Sequence, residues 1–287
     1  MPQDYDNMAK ILLTDYATDI SQFVLGAKDV EVLENIDTEQ QTIIGQRTDS
    51  TKRIRVDNSE AILHIELQLR DSTHKPMWAR NAAYHGYLVG AHELPVYSNV
   101  IYFHPNAGTN DTGRYEYSWR GYKYTLHYKV IRLIQMDGQA VLEMQTPGIL
   151  PFTPLMKPPT GMDIEQWAQE CVNATRAAPV DQRAQSDLLY ALHLFGGIVY
   201  DSELFERLIP EELMQESKTY QRQREKILRE NTIKHISTVL KAKFSADIVN
   251  ALTPIIQNIT DLQRLEELHT AAAKVQDIET FTQMLSE

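Results

Sequence analysis

The residues best placed to do chemistry lie on one predicted β-hairpin between residues 49 and 69. Strand alternation divides this hairpin into two faces, one mostly apolar and the other polar except at Ile62. A four-residue turn at 57–60 places Asp49 opposite Gln68 and diagonal to Glu66. Two carboxyl groups and a carboxamide are therefore predicted to meet at one end of the hairpin.

This acid pair has two interpretations. The first is a site for a hard divalent cation, because Mg²⁺ binds carboxylate and carbonyl oxygens and keeps waters that can attack a phosphate. The second is that Arg53 or Arg55 neutralises Asp49 and Glu66 across the strands, which would contribute about 0.2–1 kcal/mol per pair. The spacing of these residues leaves both interpretations open.

Composition and charge restrict the function classes. The chain has 287 residues, of which 43% are hydrophobic, and no apolar stretch approaches the length of a membrane span. We therefore expect no membrane partner and a cytoplasmic location.

The single cysteine, Cys171, excludes an internal disulfide framework and a thiolate metal cluster. A net charge of −11 argues against coating nucleic acid through bulk positive charge, although residues 46–135 carry a small basic excess that could face phosphate.

The residue composition and the spacing of apolar residues predict two regions. Up to about residue 145, alternating runs rich in β-branched and aromatic residues predict strands at 54–56, 61–69, 96–103 and 122–135, with helices at about 6–24 and 75–90. Further on, three- and four-residue spacing predicts helices at about 163–177, 181–195, 211–244, 245–259, 261–273 and 278–285. Five prolines between residues 147 and 159 predict an extended connector, so the boundary between domains 1–160 and 161–287 is placed near residue 160.

Four motifs follow one another in the first region: RTD at 47–49, HIELQ at 64–68, RNAAY at 80–84 and PVYSNVIYF at 95–103. Their order and spacing resemble the Rpn-type (recombination-promoting nuclease/putative transposase) family of the PD-(D/E)XK nuclease superfamily. The stretches YDNMAK at 5–10, GILPFTPLM at 148–156 and MQESKTYQ at 214–221 are similar to other parts of that family. From about residue 233, the chain is similar to a small helical domain that follows many cyanobacterial members.

The resemblance implies a restriction-endonuclease-like α/β fold, with a mixed sheet flanked by helices and an all-helical C-terminal region. It also implies Mg²⁺-dependent hydrolysis of DNA phosphodiester bonds, with Mn²⁺ as a substitute. Asp49, Glu66 and the backbone carbonyl of Leu67 would bind the metal, and Gln68 stands where the superfamily usually has Lys. Because Gln carries no charge, it would orient the attacking water by hydrogen bonds.

Four further charged residues are candidates for supporting the site or contacting DNA: Asp6, Lys10, Arg53 and Arg80. Asp6 could be an additional acid of the site, or it could simply favour a helix N-terminus through the macrodipole. Lys10 and Arg80 could contact phosphate. Many nucleases of the superfamily act as dimers, so a homodimer is a further partner hypothesis.

The alternative function is a catalytically silent nuclease fold that serves as a binding or scaffold module. The absence of Lys at position 68 and the net charge of −11 both favour it. In this case the acidic helical half, residues 161–287, would recruit a protein partner.

Overall fold

The computed structural model describes residues 3–36, 49–73 and 75–286. Arg47 and Thr48 of the first motif lie outside the described residues. The chain divides into two compact units, the first ending at Ser217 and the second beginning at Lys218. This division differs from the boundary predicted near residue 160, because the helices between 161 and 217 pack into the first unit.

The first unit has an α/β fold. Its strands are β1 Glu31–Asn35, β2 Ser50–Val56, β3 Ser59–Gln68, β4 Val96–Tyr102, β5 Arg114–Trp119, β6 Tyr122–His127 and β7 Lys129–Arg132. Five of them form a mixed sheet in the order β1-β2-β3-β4-β7, antiparallel from β1 to β3 and parallel from β3 to β7. Strands β5 and β6 form a separate two-stranded sheet. The long strand β3 is therefore central and is covered on both faces, as its fully buried middle shows.

The helices of the first unit are α1 Gln3–Asp15, α2 Ala17–Leu25, α3 Met77–His92, α4 Gly138–Glu143, α5 Ile164–Arg176, α6 Gln182–Gly196 and α7 Ser202–Leu208. The predicted opening helix is thus two helices, which break at Tyr16. Gly148 packs at this break, where a Cβ would lie 2.2 Å from the Tyr16 Cβ, and its N–H donates to Asp19 Oδ2 at 3.0 Å. Only a residue without a side chain lets the later segment approach so closely.

The β2–β3 hairpin has a tighter turn than predicted. Asp57 and Asn58 form a two-residue turn with φ values of 48° and 59°, a conformation that Asp and Asn tolerate well. The observed pairing runs from Val56↔Ser59 to Ser50↔Ile65. Continuing it by one residue sets Asp49 opposite Glu66 and not opposite Gln68, so the predicted register was wrong. The shift is an even number of residues, so every side chain keeps its predicted face.

The proline-rich segment was expected to be an extended connector, and that expectation was wrong. Pro147–Leu155 forms a 3₁₀ helix whose residues from Gly148 to Leu155 are buried. Phe152 stacks on Phe195 of α6, with ring centroids 5.1 Å apart, and meets Phe103 edge-on. Closely spaced prolines still allow a short 3₁₀ helix, and the apolar residues between them supply core. This segment joins α5 and α6 to the sheet.

The second unit is all-helical, with α8 Lys218–Lys243, α9 Ala246–Gln257, α10 Leu262–Lys274 and α11 Ile278–Ser286. Its own core includes Ile236, Leu240, Leu265 and Phe281, all fully buried. Lys243 Nζ donates to carbonyls at the end of α10, where a cation is favourable. None of the described helices is both long enough and apolar enough to cross a membrane.

The buried position of the 3₁₀ helix generates a stability prediction. Ile149→Ala should lower the free energy of unfolding of the first unit by about 2–5 kcal/mol, because Ile149 is 2% exposed. The matched control, Ile164→Ala in α5, should change it by less than about 0.5 kcal/mol, since Ile164 is 56% exposed. Urea denaturation followed by tryptophan fluorescence measures both, because all three tryptophans lie in this unit. Equal effects of the two substitutions would contradict the buried packing.

Candidate active site

Strand β3 positions the candidate site at the centre of the sheet. His64, Glu66 and Gln68 alternate along the strand and therefore share its α3-facing side. His64 and Glu66 are 0% exposed, whereas Gln68, near the strand end, is half-buried. A fully buried carboxylate is costly unless it is paired and hydrogen-bonded, so the surroundings of Glu66 determine the chemistry.

Two side chains pair with Glu66. The Arg80 guanidinium on α3 donates from Nη2 to Glu66 Oε2 at 2.5 Å. His64 Nε2 lies 3.2 Å from the other oxygen, Oε1, and His64 Nδ1 lies 3.3 Å from Ser98 Oγ on β4. A carboxylate accepts only, so His64 Nε2 carries the proton that it donates to Glu66. In a neutral ring, Nδ1 then accepts from the Ser98 hydroxyl.

Asp49, the residue directly before β2, meets the same group. Its Oδ2 accepts the backbone N–H of Leu67 at 2.7 Å, which ties the acid to the strand that carries Glu66. Burial raises the pKa of Asp49 to about 7, and the negative charge of Glu66 adds to the effect. The Leu67 N–H and Lys10 act in the opposite direction. Near neutral pH, Asp49 is therefore poised between its charged and protonated forms.

Helix α1 brings two of the predicted supporting residues to this acid pair. Asp6 and Lys10 lie one turn apart and form an ion pair of 2.7 Å. The charges of both act on Asp49: Lys10 lowers the pKa of that carboxyl, and Asp6 raises it. The site thus gathers Asp6, Lys10, Asp49, Glu66 and Arg80 from two helices, one strand and the residue that precedes β2.

The structure does not bring Arg53 to the acid pair. Arg53 pairs with Glu60 at 2.5 Å and with Glu34 at 3.6 Å, and Arg55 pairs with Glu31 and Glu60. The interpretation that these arginines neutralise Asp49 and Glu66 was therefore wrong. Arg80, which comes from a helix and not from a strand, pairs with Glu66.

Gln68 and Leu67 directly follow Glu66 at the end of β3. Gln68 follows Glu66 by one strand repeat on the same face, and its carbonyl accepts the Phe103 N–H at 3.0 Å. The Leu67 side chain is buried on the opposite face, while its N–H bonds Asp49. Both residues are therefore held by backbone pairing next to the two acids.

Sequence reasoning missed the roles of His64, Ser98 and Tyr84. The Tyr84 ring meets the His64 ring edge-on, with centroids 5.2 Å apart, and burial raises the pKa of Tyr84. One signal for His64 was present, since it precedes Glu66 by two residues on the same strand face. Ser98 reaches the site through the parallel pairing of His64 with Ser98, which lies 34 residues along the chain and has no local signal.

The oxygen atoms at the acid pair are of the kinds that bind a divalent cation. Two facing carboxyl groups and a nearby backbone carbonyl are the oxygen ligands that Mg²⁺ takes, with water completing the coordination. Burial, followed by the negative charge of Glu66, raises the pKa of Asp49, and a bound cation would oppose both effects by favouring the charged carboxylate. The described residues contain no group of three His, Cys, Asp or Glu side chains arranged to hold a metal. A site on Asp49 and Glu66 would therefore depend on the carbonyl and water.

Comparison of the chain with models of known families, with curated proteins and with solved structures finds no match. A functional assignment therefore depends on the residues of the site and their geometry.

The Arg80–Glu66 pair generates a second prediction. Arg80→Met should destabilise the first unit by about 3–5 kcal/mol at neutral pH, because it leaves the Glu66 charge buried without its cationic partner. The double variant Arg80→Met/Glu66→Gln should recover part of this loss, since it removes the charge as well. Urea unfolding of the four proteins in a double-mutant cycle measures the coupling. Additive effects of the two substitutions would contradict the pairing.

Proposed function

We propose that this protein is a Mg²⁺-dependent deoxyribonuclease of the PD-(D/E)XK type that hydrolyses DNA phosphodiester bonds. The observation that carries the proposal is the convergence of Asp49 and Glu66 across β2 and β3, with Lys10 and Arg80 beside them. A carboxylate pair flanked by cations can bind a metal and a phosphate at the same place. The five-stranded mixed sheet with helices supports a restriction-endonuclease-like fold.

Asp49, Glu66 and the Leu67 carbonyl would hold the cation. When bound, Mg²⁺ lowers the pKa of a coordinated water and offsets charge on the phosphate oxygens. For this binding Asp49 must give up its proton, and Glu66 must turn at least one oxygen away from its present partner. The Leu67 N–H keeps Asp49 in place during this change, because it bonds Oδ2 and leaves Oδ1 for the cation.

Arg80 would have a different partner in the cation-free and the cation-bound site. Without a cation, its guanidinium offsets the Glu66 charge at 2.5 Å. Once Glu66 turns to the cation, Arg80 is available to bind a phosphate oxygen, for which a guanidinium is well suited. Its side chain is 19% exposed, so it lies between the buried acid and the solvent from which DNA would arrive. Lys10, 48% exposed, would supply further phosphate contact.

Gln68 would orient the attacking water. It follows Glu66 on the same strand face, where the superfamily usually has a Lys. A carboxamide donates and accepts hydrogen bonds but does not stabilise the developing charge. The reaction would therefore depend more strongly on the metal, on Lys10 and on Arg80.

A second function is favoured by one specific observation. Both oxygens of Glu66 already have partners, Arg80 on Oε2 and His64 on Oε1. If these bonds persist, Glu66 cannot serve as a ligand, and the domain would be a catalytically silent binding module. DNA binding without cutting, or capture of a defined partner by the helical unit that begins at Lys218, would then be the activity.

Cleavage of supercoiled plasmid tests the proposal. The parent protein should nick and linearise the plasmid with Mg²⁺ or Mn²⁺ but not with EDTA. Asp49→Asn and Glu66→Gln should reduce the cutting rate by at least about 100-fold, as the loss of groups that act in the transition state does.

The matched control is Glu60→Gln, the same change on the same face of β3 at an acid that pairs with Arg53 and Arg55. It should leave cutting unchanged. A folded parent protein that cuts with neither metal would overturn the nuclease proposal in favour of the binding module.

A further inference from the structure

The β5–β6 hairpin separates its residues into one aromatic and one polar face. Pairing runs from Arg114↔His127 to Trp119↔Tyr122, so alternate residues share a face. One face carries Tyr115, Tyr117, Trp119, Tyr122, Tyr124 and Leu126. The opposite face carries Arg114, Glu116, Ser118, Lys123, Thr125 and His127, all of them exposed. Every Tyr and Trp ring of this two-stranded sheet therefore lies on the same side.

The base of the aromatic face is packed against the first unit. Trp78, in the first turn of α3, stacks on Tyr115 with ring centroids 3.9 Å apart and an interplanar angle of 7°. Leu126 is 3% exposed and belongs to a core cluster with Met77. These contacts attach the base of the hairpin to the first unit. The rings nearer to the turn therefore project from a hairpin whose base is packed.

The tip of the same face is open. Tyr117, Trp119 and Tyr122 are 47%, 65% and 72% exposed. The turn beyond them, Arg120 and Gly121, has positive φ at both residues, which is the tight hairpin turn that keeps the two strands paired to the end. The Arg120 guanidinium lies 4.5 Å from the centre of the Trp119 ring. Three exposed rings and a cation therefore lie next to one another at the turn end of the hairpin.

The charge of the hairpin indicates what covers these rings. Residues 114–127 carry three cations, Arg114, Arg120 and Lys123, and one acid, Glu116, in a chain of net charge −11. A nucleic-acid strand matches both features, because its bases stack on aromatic rings and its phosphates pair with the cations.

We propose that the tip of the β5–β6 hairpin binds an unpaired stretch of DNA, whose bases stack on Trp119, Tyr122 and Tyr117 while Arg120 and Lys123 contact phosphates. The ligand is single-stranded because ring faces are accessible only to bases that have left the duplex stack. This inference rests on the proposed function for its choice of DNA and deepens it by naming the form of the substrate.

The hairpin and the candidate active site share an anchor. Trp78, which supports the aromatic face, lies two residues before Arg80, which contacts Glu66. Both residues belong to α3 and to the first unit. One helix therefore contacts both the hairpin, through Trp78, and the acid pair, through Arg80.

Fluorescence anisotropy with a labelled oligo-dT strand, in EDTA so that no cutting occurs, tests the inference on the full chain. Trp119→Ala and Tyr122→Ala should each weaken binding by about 5- to 150-fold, the range for loss of one stacked base. The control Thr125→Ala, on the polar face of the same hairpin, should bind as the parent does. A fully paired duplex should bind more weakly than oligo-dT and respond little to the ring substitutions.

Three results would overturn the inference: no binding of oligo-dT by the folded parent protein, equal binding by the parent and both ring variants, or a dimer in light scattering that Trp119→Ala dissociates. The plasmid assay shows whether the hairpin site or the nuclease proposal is the one that is wrong. Metal-dependent cutting by a parent protein whose hairpin variants bind normally would refute the hairpin site alone. Oligo-dT binding that depends on Trp119, without any cutting, would refute the nuclease alone.

Discussion

The full burial of the Glu66 carboxylate in the central strand of the sheet is the constraint on which the site depends. A charge in that position must be compensated, and the compensation comes from three elements: Arg80 on α3, His64 on β3 itself and Ser98 behind it on β4. Asp49 then adds a second carboxyl to the same place, and its pKa rises to about 7 because the carboxyl is buried and also faces the charge of Glu66. A fold needs no such arrangement for stability, since a well-packed apolar residue at position 66 would cost less. We therefore interpret the acid pair as functional.

Much of this site was predictable because strand alternation is a local property. The polar and apolar faces of β2 and β3 follow from the sequence, and an error of two residues in the register left each side chain on its predicted face. The same error changed the partner of Asp49 from Gln68 to Glu66, because turn length depends on backbone geometry at Asp57 and Asn58 and not on the hydrophobic pattern. Helices α5, α6, α9, α10 and α11 were predicted to within two residues at each end by their spacing and by cap residues such as Asp261. Helix α7 was not predicted, and α8 begins at Lys218 and not at residue 211.

The interactions that were not predictable are long-range or depend on packing. Nothing local indicates that Arg80, rather than the nearer Arg53, pairs with Glu66, since the choice depends on how α3 crosses the sheet. The proline-rich segment has the composition of a linker, yet its apolar residues between the prolines form core against α6. Strand β5 was not predicted, although the alternation of Tyr115, Tyr117 and Trp119 is typical of a strand, because turn residues directly precede it.

Direct metal binding tests the central claim, that Asp49 and Glu66 form one cation site. Isothermal titration of Mg²⁺ and Mn²⁺ into the parent protein, without DNA, should give one site per chain. Its affinity should rise from pH 5.5 to pH 8, because Asp49, with a pKa of about 7, must lose its proton for the cation to bind. Asp49→Asn and Glu66→Gln should each abolish the binding, and Glu60→Gln should retain it. Absence of binding by the folded parent protein at every pH, or binding that survives both substitutions at the acid pair, would contradict the account.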